Sequence, residues 1–447
     1  MTRLREDITK RSAGGYRLAL AAAALASVPA FWLKFGGGTA AHPVEALLFG
    51  LAIVGAAFLL SWAAEVAQLD ISAGLALAVL ALIAVLPEYA VDFVFAWRGG
   101  QSVQAFGASC PSGEVGTESP CSLALANMTG ANRLLIGVGW SMVVFIAWYR
   151  TRRRNGKALK VGEKTWPWRG VVLERTHSVE ISYLAVATVY SLTLPMKSSI
   201  TLIDATILIG IFVLYTVRIS RAPAEEPHLV GPARYLGSFA DGPRRATIGV
   251  MFAFAALVIV LCAEPFAHAL VETGKDYGIS EFFLVQWLAP LASEAPEFIV
   301  AGLFAWRLNT NSALGTLVSS KVNQWTLLVG SLPIVFAIAS GSLHGLPIAG
   351  TQREEILLTA AQSLFAVAML VNLRMSLAEA GWIFALFAAQ FTASAFVPES
   401  LHDEVLLINS AIYLIVGLML LARHRGEMRH LVRDGFRTPY AQLSVQE

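Results

Sequence analysis

Long apolar runs, separated by short polar or basic stretches, dominate the pattern of this chain. About 20 apolar residues are enough for a helix to cross a bilayer. Segments of about this length or longer recur through the sequence, at 16–35, 43–65, 72–98, 122–149, 178–196, 199–219, 246–270, 279–307, 312–340, 354–373, 376–397 and 404–423. The pattern predicts an all-α polytopic membrane protein with 10 to 12 transmembrane helices.

The composition supports this prediction. Hydrophobic residues make up 56% of the 447 residues, charged residues make up 14%, and the mean hydropathy is +0.62. A soluble domain of this length is much less apolar. The lipid bilayer is therefore the first predicted partner, and nothing in the sequence indicates nucleic-acid binding.

Basic residues are concentrated at the N-terminus and in three further places, 150–177, 220–245 and 424–447. In an arrangement of twelve helices these stretches all fall on one side, which the positive-inside rule assigns to the cytoplasm. Both termini are then cytoplasmic, in a plasma or inner membrane. The stretch 220–245 is rich in Pro and Gly and is predicted to be a loop with little to bury.

The first apolar segment is open to two interpretations. Its basic start, followed by small apolar residues, resembles a signal peptide. Because the apolar run continues through Phe31, Trp32 and Leu33, an uncleaved helix is favoured.

Two of the three cysteines flank a polar loop. Cys110 and Cys121 enclose this loop, which the predicted orientation places outside the cytoplasm, where a disulfide is permitted. Cys262 lies within a predicted helix and is expected to be an apolar core residue. The histidines lie mainly near span ends or in loops without metal-ligand spacing, and they are assigned no role.

One motif occurs twice. The stretches 81–100 and 290–309 each contain Pro-Glu, six further residues and then Phe-Ala-Trp-Arg. The two copies place Glu88 and Glu297 in apolar segments, where an ionisable side chain costs at least ~2.5–3.5 kcal/mol at the membrane centre. Because such a cost is normally tolerated only for a function, both glutamates are predicted to be ion ligands.

The two copies are predicted to cross the membrane in opposite directions, because they lie in the third and eighth segments. Inverted repeats of this kind allow a transporter to open one central site to either side in turn. The predicted regions are N-terminal helices (1–71), a first repeat (72–149), linking helices (178–270), a second, inverted repeat (279–340) and C-terminal helices (354–423).

A second similar stretch follows each glutamate segment. Residues 124–137 align without gaps with 313–326, which pairs Asn127 with Thr316. The same alignment pairs Asn132 with Lys321. Amide and hydroxyl oxygens, together with carboxylates, are the ligands that hard cations prefer.

Each glutamate is preceded by a proline, Pro87 or Pro296. A proline has no backbone N–H, so it leaves the carbonyl four residues earlier without its helical donor. Each helix is therefore predicted to be broken about one turn before its glutamate, where the freed carbonyl provides another ion ligand.

These features resemble the α-repeats of the sodium/calcium exchanger family, within the larger superfamily of cation/Ca²⁺ antiporters. The family signature is similar to Gly-Thr-Ser-Leu-Pro-Glu followed by Gly-Asn-x-x-Gly-Ser-Asn. The residues that fit are Leu86, Pro87, Glu88, Asn127, Gly130 and Asn132 in the first copy, and Pro296, Glu297, Gly315 and Ser320 in the second. The resemblance implies that Glu88 and Glu297 are the principal ion ligands, with Asn127 and Thr316 beside them.

The chain also departs from this signature. The Thr-Ser pair is replaced by Ala84-Val85 in the first copy and by Ser293-Glu294 in the second, and two basic residues enter the site, Lys321 and Arg133. Asp92 lies one helical turn after Glu88, and Glu294 lies one turn before Glu297. The predicted site therefore holds four acids and two bases, a net charge that suits one divalent cation or two protons.

Two interpretations of the basic residues are open. In the first, Lys321, alone or together with Arg133, occupies the place of a bound Na⁺ and shifts coupling from Na⁺ towards H⁺. In the second, Glu294–Lys321 and Asp92–Arg133 are structural ion pairs that hold helices together.

The sequence predicts a secondary antiporter that exchanges Ca²⁺ or Na⁺ against H⁺ or Na⁺, with these cations as substrates and no cofactor. The alternatives are a cation channel and a Na⁺/H⁺ exchanger without Ca²⁺ transport. The sequence contains no Walker loop, so an ion gradient is expected to supply the driving force. An intramembrane enzyme is disfavoured, because neither the Gly-x-Gly-Asp motif of aspartyl proteases nor the His-Glu-x-x-His motif of zinc proteases occurs. The exchanged ion pair and the oligomeric state are left open.

Overall fold

The structure is a computed structural model that describes residues 10–70, 86–107, 110, 118–153, 160–161, 164–165, 170–222, 229–348, 350–398 and 401–443. Its helices are α1 (Lys10–Leu25), α2 (Ser27–Phe35), α3 (His42–Ala67), α4 (Leu86–Phe106), α5 (Pro120–Leu134), α6 (Ser141–Arg153), α7 (Ser178–Ser191), α8 (Leu202–Ile219), α9 (Pro232–Gly237), α10 (Asp241–Tyr277), α11 (Glu281–Trp306), α12 (Thr310–Asn323), α13 (Val329–Ser340), α14 (Gln352–Leu370), α15 (Leu377–Phe396), α16 (His402–Arg423), α17 (Arg425–Phe436) and α18 (Tyr440–Leu443). Six short strands, β1 (Lys160–Val161), β2 (Lys164–Thr165), β3 (Gly170–Val172), β4 (Ser199–Ile200), β5 (Leu346–Pro347) and β6 (Arg374–Ser376), form the antiparallel pairs β1–β2, β3–β6 and β4–β5.

The all-α membrane architecture predicted from the apolar runs is confirmed. Within the described residues, nine helical stretches are long and apolar enough to cross a bilayer. The three other predicted spans correspond to α4, α14 and α15. Residues 72–85 of the predicted third span lie outside the described part of the chain.

Prolines lie inside several of these helices without interrupting them, at Pro265, Pro290, Pro296 and Pro333. The predicted break at Pro296 is therefore wrong, because α11 continues as one helix from Glu281 to Trp306. A proline removes one backbone hydrogen bond, but the remaining bonds keep the helix intact, and membrane helices tolerate such sites. The predicted break before Pro87 falls on residues outside the described ranges.

The chain divides into two compact units, and the boundaries fall inside the two glutamate helices, α4 and α11. The first unit comprises Met1–Val94 and Ser220–Pro296, and the second comprises Phe95–Ile219 and Glu297–Glu447. In the first unit α3 and α10 form the main helix pair. Gly50 of α3 lies against the Phe266 ring, and a Cβ there would lie only 3.0 Å from a ring carbon. The absence of a side chain at this position therefore permits close packing of the two helices.

The expectation that 220–245 has little to bury is wrong for its described part. This stretch contains α9, which packs on α1 and α3 in the first unit and buries Ala233 and Leu236. Arg17 of α1 donates a hydrogen bond to the Tyr235 hydroxyl at 2.8 Å. A few apolar residues among the Pro and Gly are thus enough to dock a short helix on longer ones.

The second unit contains the helices that follow the two glutamate helices. α5 and α6 are joined by a π-helical segment, Leu135–Trp140, and α12 and α13 by another, Gln324–Leu328. Around them lie α7, α8, and the closely packed pair α14 and α16. In the same unit Cys110 and Cys121 form a disulfide with a Cα–Cα distance of 6.3 Å, the pairing that the predicted orientation permits.

Candidate functional site

The predicted acidic ligands lie in buried positions on the glutamate helices. Glu88 is 4% exposed, and Asp92, one turn further along α4, is fully buried. Ser293 and Glu294 are buried on α11, and the Ser293 hydroxyl donates to the carbonyls of its own helix, at 3.3 Å to Ala289 and 3.2 Å to Pro290. All four predicted ligands belong to the first unit.

Glu297 belongs to the second unit and is half-buried. The side chain of Ser320, from α12, lies beside its carboxyl group. Ser320 fits the signature of the second copy but was not predicted to be a ligand. In neither unit do three of the described His, Cys, Asp or Glu side chains converge on a metal site. The meeting of Glu88 with Glu297 therefore stays a prediction.

The residues beside the glutamates differ between the two copies. Asn127 of α5 is fully buried. Its aligned partner, Thr316 of α12, is exposed, and its hydroxyl donates to the Ser312 carbonyl at 2.8 Å. The roles of Asn127 and Thr316 as ion ligands stay predictions, and Ser320 is an additional candidate in the second copy.

The two π-helical segments begin at aligned positions. Leu135 aligns with Gln324 when Ala124 is placed on Ala313, and these residues are the first of their respective π segments. π-Helical turns are rare and occur frequently at functional sites. Two of them at equivalent positions indicate that the copies share a backbone conformation as well as a sequence pattern.

Lys321 contacts the residue with which it aligns. Its ammonium group is fully buried and donates to Asn132 Oδ1 at 2.6 Å and to the Asn132 carbonyl at 3.1 Å. It also lies 4.6 Å from the centre of the Trp325 ring, a cation–π distance. Residues at aligned positions of the two copies are therefore in direct contact within the second unit.

Arg133 forms a buried ion pair with a residue outside both repeats. Its Nη2 lies 2.5 Å from Glu355 Oε2, and both side chains are almost fully buried. The Arg133 Nε also donates to the Thr129 carbonyl at 3.3 Å. Glu355 belongs to α14 and was not predicted to be a partner, because it lies far along the chain in a segment without a repeat. The predicted Asp92–Arg133 and Glu294–Lys321 pairs would join different units and stay untested.

The first unit contains an example of a carbonyl released by a proline. Pro265 of α10 removes the helical donor of the Leu261 carbonyl. The Lys34 ammonium donates to this carbonyl at 2.6 Å. A positive group therefore binds a carbonyl that a proline has freed in this protein. The carbonyl of Ala292, which Pro296 frees in the same way, is the one predicted to bind a cation.

One histidine contacts the second repeat, although the histidines were assigned no role. The His177 ring packs directly on Gly315 of α12, so that a Cβ at Gly315 would lie 2.3 Å from His177 Cε1. His177 Nδ1 also lies 3.7 Å from Glu180 Oε1. Since His177 and Gly315 are far apart in the sequence, no local pattern indicates this contact.

Comparisons with known proteins agree with these features. Residues 44–220 and 247–396 match the profile of the sodium/calcium exchanger protein family. The solved structure of an H⁺/Ca²⁺ exchanger, CAX, is 40% identical and has a TM-score of 0.82, with 95% of this chain and 98% of that chain covered. A structure of the Ca²⁺/H⁺ antiporter YfkE is 14% identical, with 84% and 98% covered and a TM-score of 0.57, and shows similarity of fold alone. A search of curated proteins found no match.

Proposed function

The chain belongs to the sodium/calcium exchanger protein family, and we propose that it exchanges Ca²⁺ for H⁺ at a site built on Glu88 and Glu297. The coarser function, cation exchange by a multi-pass membrane protein, follows from the family and from the similarity to CAX. The proposal adds the identity of the two ions and the residues that bind them. It also keeps the predicted orientation, with both termini in the cytoplasm.

The observation that carries the proposal is the burial of duplicated carboxyl groups in apolar helices. Glu88 is 4% exposed, and Glu297 is half-buried beside Ser320. An ionised carboxylate in the membrane centre costs several kcal/mol when it is not compensated. Two carboxylates are compensated equally by one Ca²⁺ or by two protons. A transporter that turns this site from one side of the membrane to the other only when both carboxylates are neutralised therefore exchanges one Ca²⁺ for two protons.

The surroundings of Lys321 favour H⁺ over Na⁺ as the counter-ion. Its ammonium engages both the side-chain oxygen and the carbonyl oxygen of Asn132, two groups of the kind that coordinate Na⁺. A fixed positive charge in this position removes the need for a bound monovalent cation. The 40% identity with an H⁺/Ca²⁺ exchanger supports the same choice.

Transport in proteoliposomes tests the proposal. A pH gradient and a Na⁺ gradient are imposed separately, and Ca²⁺ entry is followed with an indicator. We expect Ca²⁺ entry to follow the pH gradient and to be insensitive to the Na⁺ gradient. Ca²⁺ flux that needs no counter-ion would instead indicate a channel, and flux driven only by Na⁺ would refute the proposed coupling.

Variants of the two glutamates connect the flux to the site. Glu88→Gln and Glu297→Gln should each lower pH-driven Ca²⁺ entry at least tenfold, since an interaction with a charged group contributes about 1.5–3 kcal/mol. Glu272→Gln is the matched control, because Glu272 lies near the end of α10 and pairs with Lys275 at 2.8 Å. Full activity in either site variant would exclude that glutamate as a ligand.

The role of Lys321 is tested separately with Lys321→Asn, which restores the amide of the family signature. If the ammonium replaces Na⁺, this variant should gain Na⁺-dependent Ca²⁺ entry and lose part of its dependence on the pH gradient. Unchanged Na⁺ and pH dependence would show that Lys321 is a structural residue.

A further inference from the structure

A basic pocket lies in the second unit, away from the proposed ion site. It has a volume of about 710 Å³ and is formed by the turn Arg175–His177, the end of α17 and the segment that leads into α18. The polar residues that line it are Arg175, Arg433, Asp434, Arg437, Thr438 and Gln442. The pocket therefore contains three guanidinium groups and one carboxylate, so its net charge is positive.

The one carboxylate of the pocket is already engaged. Asp434 Oδ2 accepts from Arg175 Nη2 at 2.9 Å, and Oδ1 accepts from the Thr438 hydroxyl at 2.8 Å. Burial opposes ionisation of Asp434, but the hydrogen bonds from Thr438 and Arg175 outweigh it and hold its pKa below the ordinary value. Asp434 is therefore charged at neutral pH, and Arg175 compensates it, while Arg433 Nε lies 3.6 Å from Asp434 Oδ1. Because one carboxylate faces three guanidinium groups, the pocket keeps a net positive charge, and the side chains of Arg433 and Arg437 are exposed.

The end of α17 and the segment after it, which carry these two arginines, are held against the spanning helices α7 and α8. Arg218, near the end of α8, donates to the carbonyls of Asp434 at 3.3 Å, of Gly435 at 3.0 Å and of Thr438. Gly435 lies against Ser182 of α7, so closely that a Cβ would lie 2.2 Å from the Ser182 hydroxyl oxygen. The pocket is thus a built feature of the second unit, and its arginines project from a supported backbone.

The position of the pocket indicates where its ligand comes from. It lies where α7 begins and α8 ends, on the side that the positive-inside rule assigns to the cytoplasm. α17 presents exposed apolar residues, Val432 and Phe436, next to its arginines, a pattern typical of a helix at the membrane surface. Basic residues on a helix that directly follows a membrane-spanning helix, as α17 follows α16, suit anionic lipid headgroups.

We propose that this pocket binds the phosphate group of an anionic phospholipid of the cytoplasmic leaflet through Arg433 and Arg437. A guanidinium group matches a phosphate with two parallel hydrogen bonds, which lysine cannot reproduce. The same two arginines could bind a soluble phosphate compound. Only a phospholipid also has apolar chains, which would contact the exposed side chains of Val432 and Phe436.

The test is a binding measurement on the full-length protein in an uncharged detergent. Fluorescence anisotropy of a labelled short-chain phosphatidylglycerol gives its affinity, and unlabelled short-chain phosphatidylglycerol, short-chain phosphatidylcholine, glycerol 3-phosphate and inorganic phosphate are the competitors. Phosphatidylglycerol should compete best. If glycerol 3-phosphate competes equally well, the site is still a phosphate site but its ligand is soluble.

The double variant Arg433→Gln/Arg437→Gln should bind about 25-fold more weakly, at roughly fivefold for each arginine near an anionic group. The matched control is Arg425→Gln/Arg429→Gln, which removes the same charge from exposed positions of α17 that do not line the pocket. Size-exclusion elution verifies that both variants are folded. Equal affinity in the pocket variant and the wild type, or equal losses in the pocket and control variants, would overturn the proposal.

Discussion

Breaking the buried ion pair of Arg133 and Glu355 is expected to destabilise the protein much more than replacing both residues. The Arg133 side chain is fully buried and that of Glu355 almost so, with 2.5 Å between Nη2 and Oε2. Arg133→Met leaves the carboxylate of Glu355 buried without this partner. The free energy of unfolding should then fall by about 3–5 kcal/mol. Glu355→Leu should have a similar effect, because it leaves the guanidinium group of Arg133 buried without Glu355.

The double variant Arg133→Met/Glu355→Leu removes both charges and fills similar volumes with apolar groups. Such replacements are often neutral or stabilising. The hydrogen bond from Arg133 Nε to the Thr129 carbonyl is also lost, and this costs about 1 kcal/mol. The double variant should therefore lie within about 1 kcal/mol of the wild type, and the coupling energy should be at least about 5 kcal/mol.

The assay is unfolding by sodium dodecyl sulfate in mixed micelles, followed by tryptophan fluorescence for the wild type, both single variants and the double variant. Loss in the double variant equal to the sum of the single losses would refute the pairing. Ca²⁺ exchange by the double variant then distinguishes the two roles of Arg133. Retained exchange with an unchanged counter-ion shows a structural residue, and altered coupling in a stable protein shows a residue of the transport site.

Two further predictions concern packing and pH. Gly315→Ala places a Cβ 2.3 Å from His177 Cε1 and should cost about 1–3 kcal/mol of stability by overpacking. Gly302→Ala should be tolerated, because its Cβ would lie 3.6 Å from Ile146 Cδ1, and thermal unfolding of both variants tests this. Asp70 accepts hydrogen bonds from Arg244, which lower its pKa below 3.8 although burial opposes the shift. Asp70→Asn should therefore reduce the free energy of unfolding by about 2 kcal/mol at pH 7. The difference from the wild type should shrink below about pH 3.8, as the carboxylate takes up its proton; a difference independent of pH would contradict the assignment.

The features that the sequence predicts well are those that depend on residues close together in the chain. Apolar runs locate the spanning helices because each helix is decided by its own segment. The alignment that pairs Asn132 with Lys321 also has a structural counterpart, because these two side chains touch and the π segments start in the same register. Local similarity between the copies was therefore enough to align two residues that are in contact in the structure.

The features that the sequence does not predict depend on contacts between distant segments. Glu355 becomes the partner of Arg133 only because α14 packs against α5, and His177 meets Gly315 only because α7 packs against α12. The break expected at Pro296 was wrong for a different reason. Pro296 removes one backbone hydrogen bond, and the prediction considered only this loss. The remaining backbone hydrogen bonds keep α11 helical.

The central claim is that Ca²⁺ and protons compete for the same carboxyl groups, and proton release upon Ca²⁺ binding tests it most directly. Ca²⁺ is added to the purified protein in weakly buffered detergent solution, and the released protons are counted with a pH indicator. The account predicts that Ca²⁺ binding releases up to two protons and that Glu88→Gln/Glu297→Gln abolishes both binding and release. Ca²⁺ binding without proton release by the wild type, or release that persists in this double variant, would contradict it.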